Sequence, residues 1–222
     1  MSAAVASDGR TRGSIDLRDP RQRIVEATLR GIGREGVSGI TVEAIARDAG
    51  CGRATVYRVF PGGRVELLEA AALAELGRFH DEVGAALDAT EDLADLLATA
   101  LSASARFVRD SAPLAHVLAH EPAALLAHVA FDKSPIVFAV AEALLGPRLA
   151  RHLPPDRVPE VAEWLARIVL SHLALRPETT GPGAPGDLAD RDVADRLVHA
   201  FVLPGLDDAV GSAAPSRLRP AT

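Results

Sequence analysis

The chain is poor in aromatic rings, lysine and cysteine, and it has no long apolar run. Aromatics make up 4% of its 222 residues, with a single Trp164 and a single Tyr57. A core must therefore come mainly from Leu, Val and Ala, and the abundance of the good helix formers Ala and Leu points to an all-α chain. The longest uninterrupted apolar stretch, Ile136–Ala141, stops at Glu142, far short of the roughly 18 residues that suggest a bilayer span. A membrane partner is therefore not expected. Met1–Arg18 is polar and lacks the apolar centre of a secretory leader. The lone Cys51 has no second cysteine to pair with, which fits a reducing, cytoplasmic setting. Recognisable nucleophile motifs and paired carboxylates are missing too. Gly181-Pro182-Gly183 lacks the lysine and the strand–helix context of a phosphate loop. An enzymatic reading has little support, and no cofactor is implied.

Charge is present but unevenly spread. Arginine is used 23 times and lysine once, at Lys133, and the formal net charge is −6. Residues 1–64 hold 11 Arg and 7 acidic residues, a net of +4, whereas residues 65–222 hold 13 basic and 23 acidic residues, a net of −10. Such asymmetry is expected when one part of a chain meets phosphates. A solvated Arg-rich arm would give the same count, so charge alone leaves both readings open.

Residues 1–19 have no hydrophobic period and read as a flexible arm. A helical pattern starts near Pro20 and carries Ile24, Ala27, Thr28 and Ile32 on one face. It ends at Gly36, read as a left-handed cap, while Gly31 and Gly33 inside it allow close helix approach. Thr41 suits the N-cap of a short helix reaching Ala49, with Glu43 well placed for the helix dipole. Gly50-Cys51-Gly52 breaks the pattern before a second short helix over about Arg53–Phe60. Pro61-Gly62-Gly63 ends that one, and a long helix runs from Arg64 to about Asp88. Further helices are predicted over Leu93–Arg109, Pro113–Glu121, Pro122–Phe131, Pro135–Leu153, Pro159–Leu175 and Asp187–Phe201, with a loop over Arg176–Gly186. Residues 207–222 read as a disordered tail. The organisation expected is an N-terminal domain over 20–66 and a larger helical domain over 67–206.

Two short helices joined by a tight glycine turn and braced by a preceding helix have the geometry of a helix-turn-helix. Ile45, Ala46, Ala49, Val56 and Phe60 supply the inward face, and the small alanines let the helices cross closely. Arg53, Thr55 and Arg58 remain outward, where they can meet base edges or phosphates, and Tyr57 offers a hydroxyl to a phosphate. The runs Arg23-Ile24-Val25-Glu26-Ala27, Thr41-Val42-Glu43-Ala44-Ile45-Ala46-Arg47-Asp48-Ala49-Gly50 and Arg53-Ala54-Thr55-Val56-Tyr57-Arg58-Val59-Phe60, continuing to Leu68, resemble the DNA-binding domain of the TetR family. Two positions depart from that family's pattern. Gly52 stands where Ser or Thr is usual, and Val59 where an aromatic is preferred; Arg64 takes the place of a lysine that begins the fourth helix. The resemblance implies an all-α homodimer that binds double-stranded operator DNA through Thr41, Gly52, Arg53, Ala54, Thr55, Tyr57, Arg58 and Arg64. It also implies a repressor released from its operator by a small-molecule effector.

The effector pocket is expected from Leu97, Leu101, Phe107, His116, His120, Phe131, Phe138 and Trp164, an apolar lining with few polar groups that suits a mostly hydrophobic molecule. His116 and His120 lie four apart, a chelating spacing, but no third ligand is placed by sequence and no metal is expected. Core packing is the commoner use of the phenylalanines, and Cys51 reads as a small apolar residue. For the dimer, Val161, Leu165, Ile168 and His172 form one helical stripe, and Val193, Leu197 and Phe201 a second. Packing both against a symmetry mate makes a four-helix bundle; the alternative is that both stripes face only the chain's own core. A helical adaptor with no DNA role would have to treat residues 23–68 as coincidence.

Overall fold

The computed structural model describes residues 19–122, 134–174 and 186–206. Among them are nine α-helices and no strand: α1 Pro20–Gly39, α2 Val42–Asp48, α3 Arg53–Val59, α4 Arg64–Asp88, α5 Leu93–Asp110, α6 Ala112–His120, α7 Ser134–Leu149, α8 Val158–Ala174 and α9 Arg191–Leu197. The expected helix over Pro122–Phe131, beyond its first residue, and the tail over 207–222 lie outside the described residues.

Helix starts follow local capping chemistry. Asp19 accepts the Arg21 N–H at 2.9 Å, Thr41 the Ala44 N–H at 3.2 Å and Asp92 the Asp95 N–H at 2.8 Å, each satisfying a donor that the helix cannot. The last helix differs from expectation. It begins at Arg191, capped by Asp190, because Asp187 is engaged in its own turn with the Ala189 N–H at 2.9 Å. Beyond Leu197 the helix widens into a π turn over Val198–Val202.

Two apolar cores form. The N-terminal one gathers Ile24, Ala27, Ile45, Val56, Phe60 and Leu67, and Val117 of α6 joins it. The larger one is built from Leu96, Leu97 and Leu101 of α5, with Val83 and Leu87 of α4, Leu149 of α7, Leu165 of α8 and Val198 beyond α9. The long helix α4 contributes to both, with Leu67, Ala70 and Ala71 in the first and Val83 and Leu87 in the second. It is thus a rigid connector between them. α1 also packs along α6, the most extensive helix–helix contact among the described residues. A Cβ on Gly33 would lie 3.2 Å from the Ala112 Cβ, so the missing side chain admits the start of α6, as close approach requires.

Candidate nucleic-acid interface and internal cavity

Helix α3 is anchored from behind and free in front. Val56 and Phe60 are fully buried, and the turn before the helix is closed by the Cys51 N–H donating to the Ala46 carbonyl at 2.9 Å. Arg53, Ala54, Tyr57 and Arg58 are exposed, and Thr55 is half-buried. Gly52 caps α3 through its backbone without a side-chain bond. Arg53 Nη1 sits 2.8 Å from Glu43 Oε1 of α2, with both side chains more than half exposed. Such a pair is worth about 0–1 kcal/mol, so an incoming phosphate or guanine edge displaces it easily.

Arg64, at the start of α4, is held by backbone carbonyls. Its guanidinium donates to the Ile40 carbonyl at 3.3 Å and to the Val37 carbonyl, tying the start of α4 to the link between α1 and α2. Only some of its five N–H donors are consumed. Three other arginines of the basic N-terminal region serve the scaffold. Arg21 stacks 4.6 Å over the Phe60 ring, Arg34 pairs with Asp48, and Arg30 donates to the Asp48 carbonyl at 3.4 Å. The Arg34 hydrogen bond holds the Asp48 carboxyl below its ordinary value. Arg47, Arg53 and Arg58 are exposed at the helix-turn-helix, and Arg21, Arg30 and Arg34 are exposed too but hold contacts within the domain.

A joint that sequence reasoning missed lies at the C-terminal end of α1. Gly36 breaks the helix at φ 75°, ψ 176°, an extended mirror-region conformation rather than the left-handed cap expected. The Glu121 carboxylate, at the end of α6, fills the space this opens. It accepts the Val37 N–H at 3.0 Å, the Ser38 N–H at 3.2 Å and the Ser38 hydroxyl. These bonds, the Ser38 hydroxyl foremost, hold its carboxyl below the ordinary value. A depressed carboxyl contributes stability that is present above its unfolded-state value and lost as pH falls through the folded one. Protection of the Val37 and Ser38 amides against hydrogen exchange, corrected for intrinsic rates, should accordingly fall in acid, and in Glu121→Gln it should already be reduced at neutral pH. His116 and His120 belong to this joint, their rings 4.4 Å apart. Among the described residues they belong to no metal-ligating group of three. Glu121 and Ser38 carry no sequence signal of their own; only Gly36 hinted at a special turn.

An apolar cavity of about 410 Å³ opens among α4, α5, α7 and α8, lined by Phe79, Val83, Phe107, Leu144, Leu165 and Val169 among others. Phe79 and Phe107 meet edge to face at 5.3 Å. Of the residues expected at an effector pocket, Phe107 lines this space. Leu97 and Leu101 are fully buried in the core behind it. Phe138 lies under the Arg167 guanidinium at 4.6 Å, Trp164 is 41% exposed, and Phe131 lies outside the described residues. The phase of α8 explains Trp164: Leu165, Ala166, Val169 and Leu170 face the cavity, so the preceding residue turns away. On the other side of Glu75 and Phe107 a wider cleft of about 890 Å³ separates α1 from α4 and the α5–α6 junction.

The two stripes expected at a dimer interface divide between inside and outside. Val161, Leu165 and Val193 are buried in the chain's own core, and Ile168 and Leu197 are partly buried against it. His172 is half-buried with its Nε2 unpartnered among the described residues. Phe201 is 74% exposed, and Trp164, which sequence reasoning assigned elsewhere, is outward as well. Both α8 and α9 pack on α5.

Residues 24–71 match the family model described as bacterial regulatory proteins, tetR family. No curated protein sequence matches the chain. Solved structures resemble it over most of its length. The TetR family repressor AlkX from Dietzia sp. strain DQ12-45-1b, implicated in biodegradation of n-alkanes, has TM-score 0.58 at 24% identity, covering 88% of this chain and 98% of that one. A tetR-family transcriptional regulator from Streptomyces coelicolor has TM-score 0.58 at 22% identity, covering 88% and 84%. The multidrug binding protein EbrR, complexed with imidazole, has TM-score 0.56 at 21% identity, covering 82% and 94%. No helix among the described residues is long and apolar enough to cross a membrane.

Proposed function

We propose that the chain, whose residues 24–71 match the model of the tetR family of bacterial regulatory proteins, binds operator DNA through that segment as a dimeric repressor whose operator affinity falls when a hydrophobic small molecule fills the α4–α5–α7–α8 cavity. The observation that carries the DNA side is α3 itself: Val56 and Phe60 lock one face into the core while Arg53, Tyr57 and Arg58 stand outward on the other. Arg53 and Arg58 read bases or phosphates, Thr55 contacts a phosphate or a thymine methyl, and Thr41, Gly52 and Ala54 let the backbone come close. Arg64, held by two carbonyls, positions the start of α4 beside the DNA. Two recognition helices must lie about 34–36 Å apart to read successive major grooves. A ligand that binds one spacing better than another then changes operator affinity by its differential affinity for the two states.

Fluorescence anisotropy with DNA from upstream of the protein's own gene tests the DNA assignment. Each good bidentate arginine contact is worth about 1–3 kcal/mol of discrimination, so Arg53→Ala/Arg58→Ala should lower specific affinity by about 30-fold or more. Tyr57→Phe should weaken all sequences evenly and modestly. Unchanged specific affinity in the double variant would remove α3 from the interface.

A further inference from the structure

We propose that the cavity selects an apolar molecule ending in a cationic head, and that the head is received by Glu75. This rests on the reading of the cavity as the effector site. Glu75 is 7% exposed and, among the described residues, is the one charged side chain lining a space that is apolar apart from it and Ser104. Its surroundings do not neutralise it. Arg78 Nη1 reaches Glu75 Oε2 at 3.3 Å, but the same guanidinium also pairs with Glu26 of α1. One arginine between two carboxylates leaves a net charge of −1. The adjoining cleft adds Asp81 and Glu82 against Arg30, its Asp110 being paired with Arg109 at 2.9 Å.

The hydrogen-bond count points the same way. Glu75 Oε1 accepts the Ser111 hydroxyl and Oε2 accepts Arg78. A carboxylate has about four acceptor sites, so each oxygen retains a lone pair for a further donor. An ammonium brings donors and the missing positive charge; an alcohol brings a donor only; a carboxylate brings a like charge into a low-dielectric end. The order expected is amine, then alcohol, then acid. Glu75 is also the group through which occupancy would be felt elsewhere, since Ser111 begins α6 and Arg78 leads to α1 through Glu26. A head group bound to the remaining lone pairs joins this chain of contacts without displacing either.

Titration calorimetry of the full-length protein at neutral pH with decylammonium, 1-decanol and decanoate tests this, each kept below its aggregation limit. An ammonium adds an opposite charge to the hydrogen bond that an alcohol also makes, so decylammonium should bind about 10- to 100-fold more tightly than 1-decanol. Decanoate should be the weakest. In Glu75→Gln the preference for amine over acid should collapse while decanol binding persists. Equal binding of decylammonium and decanoate to the wild-type protein, or a preference that survives Glu75→Gln, overturns the inference and leaves the cavity reading intact. Failure of all three to bind removes the cavity reading and the inference with it. The wild-type order decides the matter even if the variant does not fold.

Discussion

Trp164→Glu combined with Phe201→Glu should yield a monomer that keeps its helical content and loses operator affinity by about 10²- to 10⁴-fold, the range that bivalent engagement contributes. The two rings are 41% and 74% exposed on α8 and just beyond α9, where a soluble monomer would gain nothing by presenting them. A large aromatic side chain buries about 150–250 Å² on contact, so a symmetric interface containing both rings from each chain withdraws a substantial apolar area from water. Symmetry also doubles every insertion: each glutamate enters an isologous interface twice, close to its own mate or to its partner's other carboxylate. Sedimentation velocity at micromolar concentration, with far-ultraviolet circular dichroism as the folding control, reads the outcome. Ile168 and Leu197 belong to the expected stripes but are partly committed to the chain's own core. Charges there would damage the fold as well as the dimer, and Val161, Leu165 and Val193 would be worse still. A wild-type protein that sediments as a monomer, or a double variant that stays dimeric, would remove the proposed interface.

The division of those stripes illustrates what sequence reasoning reaches. Local signals were legible. The break at Gly50-Cys51-Gly52, the cap at Thr41 and the span of α4 from Arg64 to Asp88 all depend on residues within a few positions of each other, and capping and periodicity act at that range. What depended on the phase of one helix against another was not. The stripe of α8 was found, but which half meets the core and which half faces outward is decided by α5 and α7, not by α8. The same holds for the cavity. Large rings are reasonable pocket candidates by type, yet its lining comes largely from aliphatic positions such as Val83, Leu144 and Val169. Charge behaved likewise: Arg21, Arg30 and Arg34 count towards a basic domain but bind a ring, a carbonyl and an aspartate within it. The last helix shows the limit even for caps, since Asp187 and Asp190 are both competent and only the turn at Ala189 separates their roles.

Gly36→Ala should be among the most destabilising single substitutions in the N-terminal domain, and its cost should depend on Glu121. Two separate penalties meet at this position. The backbone conformation, φ 75° with ψ 176°, belongs to a region essentially reserved for glycine, where another residue costs about 1–3 kcal/mol. A Cβ there would also stand 2.2 Å from Glu121 Oε1 and 2.9 Å from its Cδ, so the carboxylate must leave. Its departure breaks the bonds to the Val37 N–H and to Ser38 that join α6 to α1. Since 1 kcal/mol moves Tm by about 2–4 °C in a domain of 150–250 residues, the backbone penalty alone predicts a fall of about 2–12 °C. The clash adds to that. Glu121→Ala removes the obstructing oxygen, so Gly36→Ala made in that background should lower Tm by distinctly less than it does in the wild-type chain. The double-mutant cycle then reports a coupling between two residues 85 positions apart, as expected for side chains in contact. Thermal unfolding at one fixed protein concentration measures all four proteins. An unchanged Tm in Gly36→Ala would contradict the backbone geometry, and an equal loss in both backgrounds would show that the Glu121 carboxylate does not occupy the turn.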